Sequence, residues 1–297
     1  MNFHTETYGK WILAGEHAVL RGVPALVFPS QQFSMNFSYI ENDQPLHLDL
    51  LGEKGEELNL VIWGVIENAL QKVGRSRANL TGQLTIKNTL PVGAGLGASA
   101  ALCVGVARLF AHKNWIDKKN IYEFSRELEG LFHGESSGVD IAVALEGVGL
   151  RFMRGGERTP LVLRWKPHLL LTSSGQRGVT ADCIRKVREL WENSPDLGEK
   201  IDEQMREASE LAEKSFQLNA DEGFTLLAHA IDLGRDCFYQ WGLCTVELDQ
   251  HMREIQKAGA MAVKPTGSGG GGYVLSLWHG CDQIPDGSAA QKGAWCF

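Results

Sequence analysis

Apolar and polar positions follow two periods along the chain, one typical of strands and one typical of helices. Short apolar or alternating runs predict strands at 8–14, 25–28, 32–40, 83–86, 147–152, 161–163, 169–171, 260–263 and 273–278. Apolar residues at helical spacing predict helices at 58–73, 100–112, 121–131, 181–191, 201–216, 224–233 and 246–258. The pattern therefore predicts a chain built from both kinds of element.

The length of the chain indicates that these elements form two domains. The chain has 297 residues, which is more than a single hydrophobic core usually holds. The strands predicted at 161–163 and 169–171 lie on either side of Lys166-Pro167. We place the boundary there, so the predicted domains are residues 1–165 and 166–297.

Composition and charge argue against several classes of protein. The net charge of −7 gives no general electrostatic reason to bind nucleic acid or an anionic membrane. The polar N-terminus does not resemble a signal peptide, and no apolar run reaches the roughly 18 residues of a membrane-spanning helix. The six cysteines are scattered without a CxxC pair, which indicates free thiols and argues against structural zinc. We therefore expect a cytoplasmic protein.

A glycine-rich loop between a predicted strand and a predicted helix carries the strongest chemical signal. It reads Pro91-Val92-Gly93-Ala94-Gly95-Leu96-Gly97-Ala98-Ser99-Ala100-Ala101. Glycines at alternate positions let backbone N–H groups approach an anion, and the helix that follows adds the positive end of its dipole. The pattern predicts a phosphate site, at which Ser99 could also offer a hydroxyl to Mg²⁺.

Two other interpretations of this loop stay open from the sequence. Gly93, Gly95 and Ala98 match the Rossmann fingerprint G-x-G-x-x-G/A, although another helix rather than a strand is predicted to follow. A tight turn between strand and helix, without a ligand, is the second alternative. A Walker A loop does not fit because no Lys follows the last glycine.

Three further segments combine glycine with polar residues. Near the N-terminus, Lys10 begins an apolar run and Gly15-Glu16-His17 ends it. Polar groups at the end of a buried strand indicate a functional site, and a solvated strand end is the alternative. Asp140 stands at the start of a predicted helix, as a cap or as a catalytic carboxylate. Glu129 lies upstream of it, and an exposed helix glutamate is the alternative for that residue. Residues 264–273 hold consecutive glycines between two strands, which indicates a flexible loop or a close approach of the backbone to a ligand or another loop.

Taken in order, these four segments resemble the signatures of the GHMP kinase family, which includes galactokinase, homoserine kinase, mevalonate kinase and phosphomevalonate kinase. Residues 91–101 look like its phosphate loop and 264–273 like its C-terminal glycine motif. Residues 9–19 and 133–140 most resemble the mevalonate kinases. The resemblance implies an α+β fold with an N-terminal domain like ribosomal protein S5 domain 2, a C-terminal ferredoxin-like domain and an active site in the cleft between them.

The resemblance also implies a role for each candidate residue. Asp140 would accept or electrostatically stabilise the proton of the substrate hydroxyl, and Lys10 would sit beside it. The residues implied to hold the metal are Ser99 and Glu129. Those implied to bind the ATP phosphates are Gly93, Ala94, Gly95, Leu96, Gly97, Ala98 and Ser99. Those implied to bind substrate are Glu16, His17, Thr180 and Gly269.

The activity that the resemblance implies is phosphorylation of the hydroxyl of mevalonate by Mg·ATP, giving 5-phosphomevalonate for isoprenoid synthesis. The expected partner is a small-molecule alcohol, with no nucleic acid and no membrane, and a homodimer is left open. Ala98 replaces the usual Ser of the family, and Glu135-Ser136 replaces the usual Asn-Pro of mevalonate kinases. The alternatives are a phosphomevalonate kinase, with Arg177 and Arg185 as candidate phosphate ligands, and a catalytically silent ligand sensor.

Overall fold

The structure is a computed structural model that describes residues 2–52, 55–91, 95–133, 137–176, 178–281, 284 and 288–297. The strands are β1 (Asn2–Ala14), β2 (Ala25–Pro45), β3 (His47–Gly52), β4 (Thr81–Asn88), β5 (Leu150–Phe152), β6 (Arg158–Pro160), β7 (His168–Ser173), β8 (Ala262–Thr266), β9 (Tyr273–Trp278) and β10 (Ala294–Trp295). The helices are α1 (Gly55–Lys72), α2 (Ala98–His112), α3 (Ile121–His133), α4 (Val139–Glu146), α5 (Thr180–Asn193), α6 (Pro195–Ser215), α7 (Ala220–Gln240) and α8 (Val246–Lys257).

Two of the strand predictions are wrong in detail. Residues 25–28 and 32–40 belong to one continuous strand, β2. Residues 161–163 form no strand. The Leu161 N–H still donates to the carbonyl of Gly149 (2.8 Å), in the register of the β5–β6 pair, but the next carbonyl, that of Val162, accepts from the side chain of Gln217 (2.7 Å). This segment is apolar because Leu161 and Leu163 pack against a core cluster, although its backbone pairs with none of the described strands.

The described residues form two compact units. The first comprises Met1–Lys10, Pro29–Val92 and Leu96–Gly147, and the second comprises Trp11–Phe28, Gly93–Gly95 and Val148–Phe297. This division differs from the predicted boundary after residue 165, because the second unit already includes the residues from Val148 onward. Among them, β5 pairs with residues 25–27 of β2, which belong to the same unit. The domains 1–165 and 166–297 remain a prediction.

In the first unit, β3 pairs parallel with β4, and residues 35–45 of β2 pair antiparallel with β4. Helix α2 is apolar on nearly all sides, and most of its residues are buried. At Gly105 of α2 an added Cβ would lie 2.2 Å from the ring of Phe37, so only glycine lets this helix approach the strand so closely. This close packing fixes the middle of α2 against β2.

In the second unit, an antiparallel sheet has the order β10-β7-β9-β8. Its apolar side chains share a core cluster with residues of α6 and α7 and with the apolar end of β1. The rings of Trp11 and Phe28 stack in this cluster at 4.6 Å. Ala14 and Ala18, which flank the Gly15-Glu16-His17 turn, belong to a second core cluster with residues of α5, α6 and α7, so the turn is held between two buried positions.

The state of the cysteines and the apolarity of the helices were both predicted from the sequence. All six cysteines are free thiols, and four of them are buried. Among the residues that the structure describes, none of the helices has both the length and the apolarity needed to cross a membrane.

Candidate functional site

The predicted catalytic pair meets within the first unit. Lys10 lies on β1, Asp140 lies in the first turn of α4, and the Lys10 Nζ is 3.3 Å from the Asp140 Oδ1. The Lys10 side chain is 7% exposed and the Asp140 side chain 27% exposed. The carboxylate is therefore held by a buried cation while one side of it remains open to solvent.

Asp140 is not the cap of its helix. The N-cap position of α4 is occupied by Gly138, which has a φ of 80°, so the capping alternative is wrong. The Asp140 carboxylate instead lies in the first turn of α4, at the positive end of the helix dipole. Helix α4 and Lys10 therefore act on the same carboxylate from two directions.

The glycine-rich loop reaches this pair through Gly97. The Lys10 N–H donates to the carbonyl of Leu96 (2.9 Å), and Gly97 has a φ of 76° at the N-cap of α2. An added Cβ at Gly97 would lie 3.0 Å from the Lys10 Cγ and 3.5 Å from the Asp140 Oδ2. Glycine is thus required at this position both by its backbone conformation and by the close approach of the catalytic pair.

The remaining loop residues are placed as follows. Gly93 and Ala94 lie outside the described residues. Gly95 has a φ of 76°, and the side chain of Leu96 is buried, so Leu96 can offer a ligand only its backbone. Helix α2 begins at Ala98 and is followed along the chain by α3 rather than by a strand, which does not fit the Rossmann alternative.

The predicted metal ligands also lie close together. The Ser99 Oγ on α2 is 3.5 Å from the Oε1 of Glu129 on α3, and Glu129 is buried. Mg²⁺ prefers oxygen ligands at about 2.1 Å in an octahedron, in which neighbouring ligands lie about 3 Å apart. A hydroxyl and a carboxylate at this separation fit that requirement, with the other positions left for water and phosphate.

Cys103 is a buried thiol on α2, in the neighbourhood of Glu129. Burial, reinforced by the negative charge of Glu129, raises the pKa of the Cys103 thiol well above its usual range. Cys103 is therefore a neutral, buried side chain on α2 and not a nucleophile. Among the described residues, no group of three or more His, Cys, Asp or Glu side chains could hold a metal ion.

In the second unit, His17 and Thr180 converge on one glycine-rich loop. The His17 Nε2 is 2.9 Å from the carbonyl oxygen of Ser268, and the Thr180 Oγ1 is 3.3 Å from the Ser268 Oγ. The His17 ring contacts Trp241 edge-on at 5.2 Å. His17 also has a φ of 56°, a conformation that few residues other than glycine adopt and that often marks a functional position.

The loop that contains Ser268 is held in place by its surroundings. The Gly270 N–H donates to the carbonyl of Leu243, and the Gly272 N–H donates to the carbonyl of Gln176, both at 2.8 Å. An added Cβ at Gly178 would lie 2.3 Å from the carbonyl oxygen of Gly269. These contacts favour the close approach of two loops over the flexible-loop alternative.

One charged residue beside this loop, Lys264, is not among the site residues predicted from the sequence. Lys264 on β8 is fully buried and contacts the carboxylate of Glu16, which is itself only 2% exposed. Glu16 is therefore held inside the unit rather than presented at its surface. The available signal was a lysine inside an apolar strand, between Val263 and Pro265.

The structure thus brings the candidates together in two groups, each within its own unit. The first group contains Lys10, Asp140 and Gly97, with Ser99 and Glu129 paired on adjacent helices. The second group contains His17, Thr180 and Gly269 around the glycine-rich loop.

Comparison with known proteins identifies relatives along nearly the whole chain. Residues 59–148 match the family model of the GHMP kinases N terminal domain. The chain is 30% identical to the mevalonate kinase of Archaeoglobus fulgidus, covering 94% of this chain and 93% of that protein. It is 29% identical to the mevalonate kinase of Pyrococcus horikoshii, covering 91% of this chain and 87% of that protein.

A solved structure shows the same fold. The structure of L. major mevalonate kinase in complex with R-mevalonate matches with a TM-score of 0.78 and 20% identity, over 99% of this chain and 94% of that one. At this identity the match establishes the fold alone, and it confirms the predicted α+β class. Together with a relative at 30% identity over almost the full length of both sequences, it leads to one conclusion: the chain belongs to the GHMP kinase family.

Proposed function

We propose that this protein transfers the γ-phosphoryl group of ATP to the primary hydroxyl of mevalonate, giving 5-phosphomevalonate. The observation that carries the proposal is the Lys10–Asp140 pair, 3.3 Å apart, with the backbone of Gly97 packed against it. A nucleophilic hydroxyl needs a carboxylate within hydrogen-bond reach and a cation to favour the developing alkoxide. This pair supplies both next to a loop suited to phosphate.

Phosphoryl transfer depends on positioning and charge stabilisation more than on covalent chemistry. In the proposal, residues 93–99 and the N-terminus of α2 hold the ATP phosphates with backbone N–H groups. Asp140 orients the substrate hydroxyl and takes its proton, and Lys10 keeps the carboxylate in place. Mg²⁺, held by Ser99 and Glu129, would neutralise charge on the phosphates. Ala98 removes one hydroxyl from this loop, so backbone N–H groups must contribute more of the phosphate contacts.

The substrate assignment rests on relatives that are named mevalonate kinases. On the substrate side we place His17, Thr180 and Gly269, with Glu16 behind His17. A cytoplasmic location and a homodimer remain predictions from the sequence.

Phosphomevalonate is the second candidate substrate, since its kinases share this family. Such an enzyme needs additional cations for the substrate phosphate. Of the two candidates, Arg177 lies outside the described residues, and Arg185 lies on the exposed face of α5, 2.9 Å from Asp182 and 3.8 Å from Glu189. Arg185 thus has two carboxylate partners on its own helix, and the proposal of mevalonate over phosphomevalonate is supported by the names of the relatives.

The test is a coupled ADP-release assay with mevalonate, phosphomevalonate, galactose and homoserine, followed by the variant Asp140→Asn. We expect turnover with mevalonate alone, and a loss of at least about 100-fold in kcat for D140N, because an amide cannot accept the proton. Binding of a nucleotide analogue should remain near the wild-type value.

Asp221→Asn is the matched control. Asp221 occupies the same second position of its helix, α7, as Asp140 does in α4, but among the described residues it has no lysine partner such as Lys10. It should retain normal turnover. Near-normal kcat in D140N would refute the catalytic assignment. ADP release with none of the four substrates would favour the silent ligand sensor.

A further inference from the structure

The buried ion pair between Lys264 and Glu16 lies directly behind the predicted substrate side of the second unit. The Lys264 side chain is 0% exposed and that of Glu16 is 1% exposed, and the ammonium contacts the Oε1 of the carboxylate. Two charges removed from water in this way cost free energy that their mutual attraction repays only when the geometry is well satisfied. A hydrophobic pair of similar volume often stabilises a fold at least as well, so stability alone is a weak explanation for this pair.

The surroundings of Lys264 are shaped to hold its ammonium at one point. The Nζ lies 3.4 Å from the carbonyl oxygen of Ile12 and 5.3 Å from the centre of the Phe238 ring. On α7, an added Cβ at Gly234 would lie 3.1 Å from the Lys264 Cε. A carboxylate, a carbonyl and an aromatic face thus surround the cation, and a glycine leaves room for its stem.

The same strand also holds the end of β1 by neutral hydrogen bonds. The Thr266 Oγ1 lies 2.9 Å from both the N and the O of Ile12. Lys264 and Thr266 therefore hold the chain at two points, Ile12 and Glu16, on the way into the turn. The next residue, His17, has a φ of 56°, and its Nε2 lies 2.9 Å from the carbonyl oxygen of Ser268, two positions after Thr266.

We propose that Lys264 is a positioning residue for the substrate: through Glu16 it fixes the strained turn that presents the His17 imidazole. The inference rests on the proposed function, in which His17 lies on the substrate side. Lys264 and Glu16 do not themselves touch the substrate in this arrangement, because both side chains are buried. They act by determining the position of the His17 imidazole.

The test compares Lys264→Met, Glu16→Gln and the double variant by steady-state kinetics. We expect K264M to raise the KM for mevalonate about tenfold or more, because small displacements of a binding group have large effects. The KM for ATP should stay within about twofold. Because Lys264 acts through Glu16, the double variant should be no worse than K264M alone.

Lys113→Met is the matched control, since Lys113 is also a largely buried lysine paired with a glutamate, Glu41, in the first unit. It should change neither KM. Equal rises in the two KM values for K264M, unchanged KM values, or additive effects in the double variant would each overturn the proposal. If K264M does not fold, the double variant replaces it, because that variant buries no charge. The double variant must then show the selective rise in the mevalonate KM, and an unchanged KM would overturn the proposal.

A second measurement does not depend on the substrate. In protein carrying ¹³C-labelled histidine, the ring signal of His17, assigned by its loss in His17→Gln, should shift in K264M and stay in place in K113M. An unmoved signal in folded K264M would refute the positioning role. A shifted signal in an enzyme that does not phosphorylate mevalonate would refute the proposed function and leave the positioning role standing.

Discussion

At the scale of single residues, the glycines of the phosphate loop differ in what they do. Gly97 combines a φ of 76° with a close approach to the catalytic pair, whereas an added Cβ at Gly95 would meet nothing within 4 Å. The sequence shows both as members of one alternating pattern. The structure separates a glycine that the pair requires from one that only the backbone conformation requires.

Gly97→Ala should lower kcat about tenfold and destabilise the fold by about 1–2 kcal/mol. The backbone strain arises because a residue with a Cβ disfavours the left-handed region, and the loss of rate arises because the methyl group displaces the Lys10 side chain and Asp140. The measurements are steady-state kinetics and urea denaturation.

Gly74→Ala provides the control for strain alone. Gly74 has a φ of 66° and an added Cβ there would meet nothing within 4 Å. It should lose similar stability and keep its kcat. Equal losses of kcat in the two variants would show that crowding of the pair is not the cause.

At the scale of elements, local signals predicted helices better than strands. Every predicted helix has a counterpart, because helical spacing and caps are read from neighbouring residues. The strand predicted at 32–40 is confirmed but joins the one predicted at 25–28 in a single strand, β2, whereas no strand forms at 161–163. Strand limits depend on partners that are distant in sequence, such as β4 and β5 for the two parts of β2.

The cap of α8 allows a test of local signals. The Thr245 Oγ1 accepts from the Leu248 N–H at 3.2 Å. Thr245→Ala should lower the free energy of unfolding by about 1 kcal/mol, because one N–H at the helix start loses its partner. Thr245→Ser keeps the oxygen and should stay close to wild type in urea denaturation. An equal loss in both variants would contradict the capping role.

At the scale of the whole molecule, one histidine links stability to pH. His251 on α8 is partly buried, and its Nε2 lies 2.9 Å from the Thr172 Oγ1 on β7. Burial lowers the pKa of His251 below its ordinary value of 6.5, and the charge of Glu254 opposes the shift in part. The unfolded chain therefore binds this proton more readily than the folded one.

The sign of the effect follows from linkage. The folded-state pKa of His251 is lower than the unfolded-state pKa. The contribution of the neutral imidazole to the free energy of unfolding is therefore fully present above about pH 6.5 and is lost as the pH falls through the folded-state pKa. When the pH is lowered from about 8 to about 5.5, the Tm of His251→Gln should fall by less than the Tm of the wild type. A Tm difference between the two proteins that does not change with pH would rule out this histidine as a source of the dependence.

The sequence by itself determined the family, the order of the four segments and most helices, because each is carried by neighbouring residues. It also named Lys10, Asp140, Ser99 and Glu129 as candidates, through the resemblance. Only the tertiary structure decided which of them touch, since the ion pair of Lys10 with Asp140 and the contact of Ser99 with Glu129 join separate elements.

For the same reason the sequence alone does not identify Lys264 as a site residue. Its partner, Glu16, is 248 positions away, and local periodicity shows only a lysine in an apolar strand. In the folded chain Lys264 forms an ion pair with Glu16. A buried charge needs an opposite charge nearby, and only the packing of segments that are distant in sequence brings this one into contact.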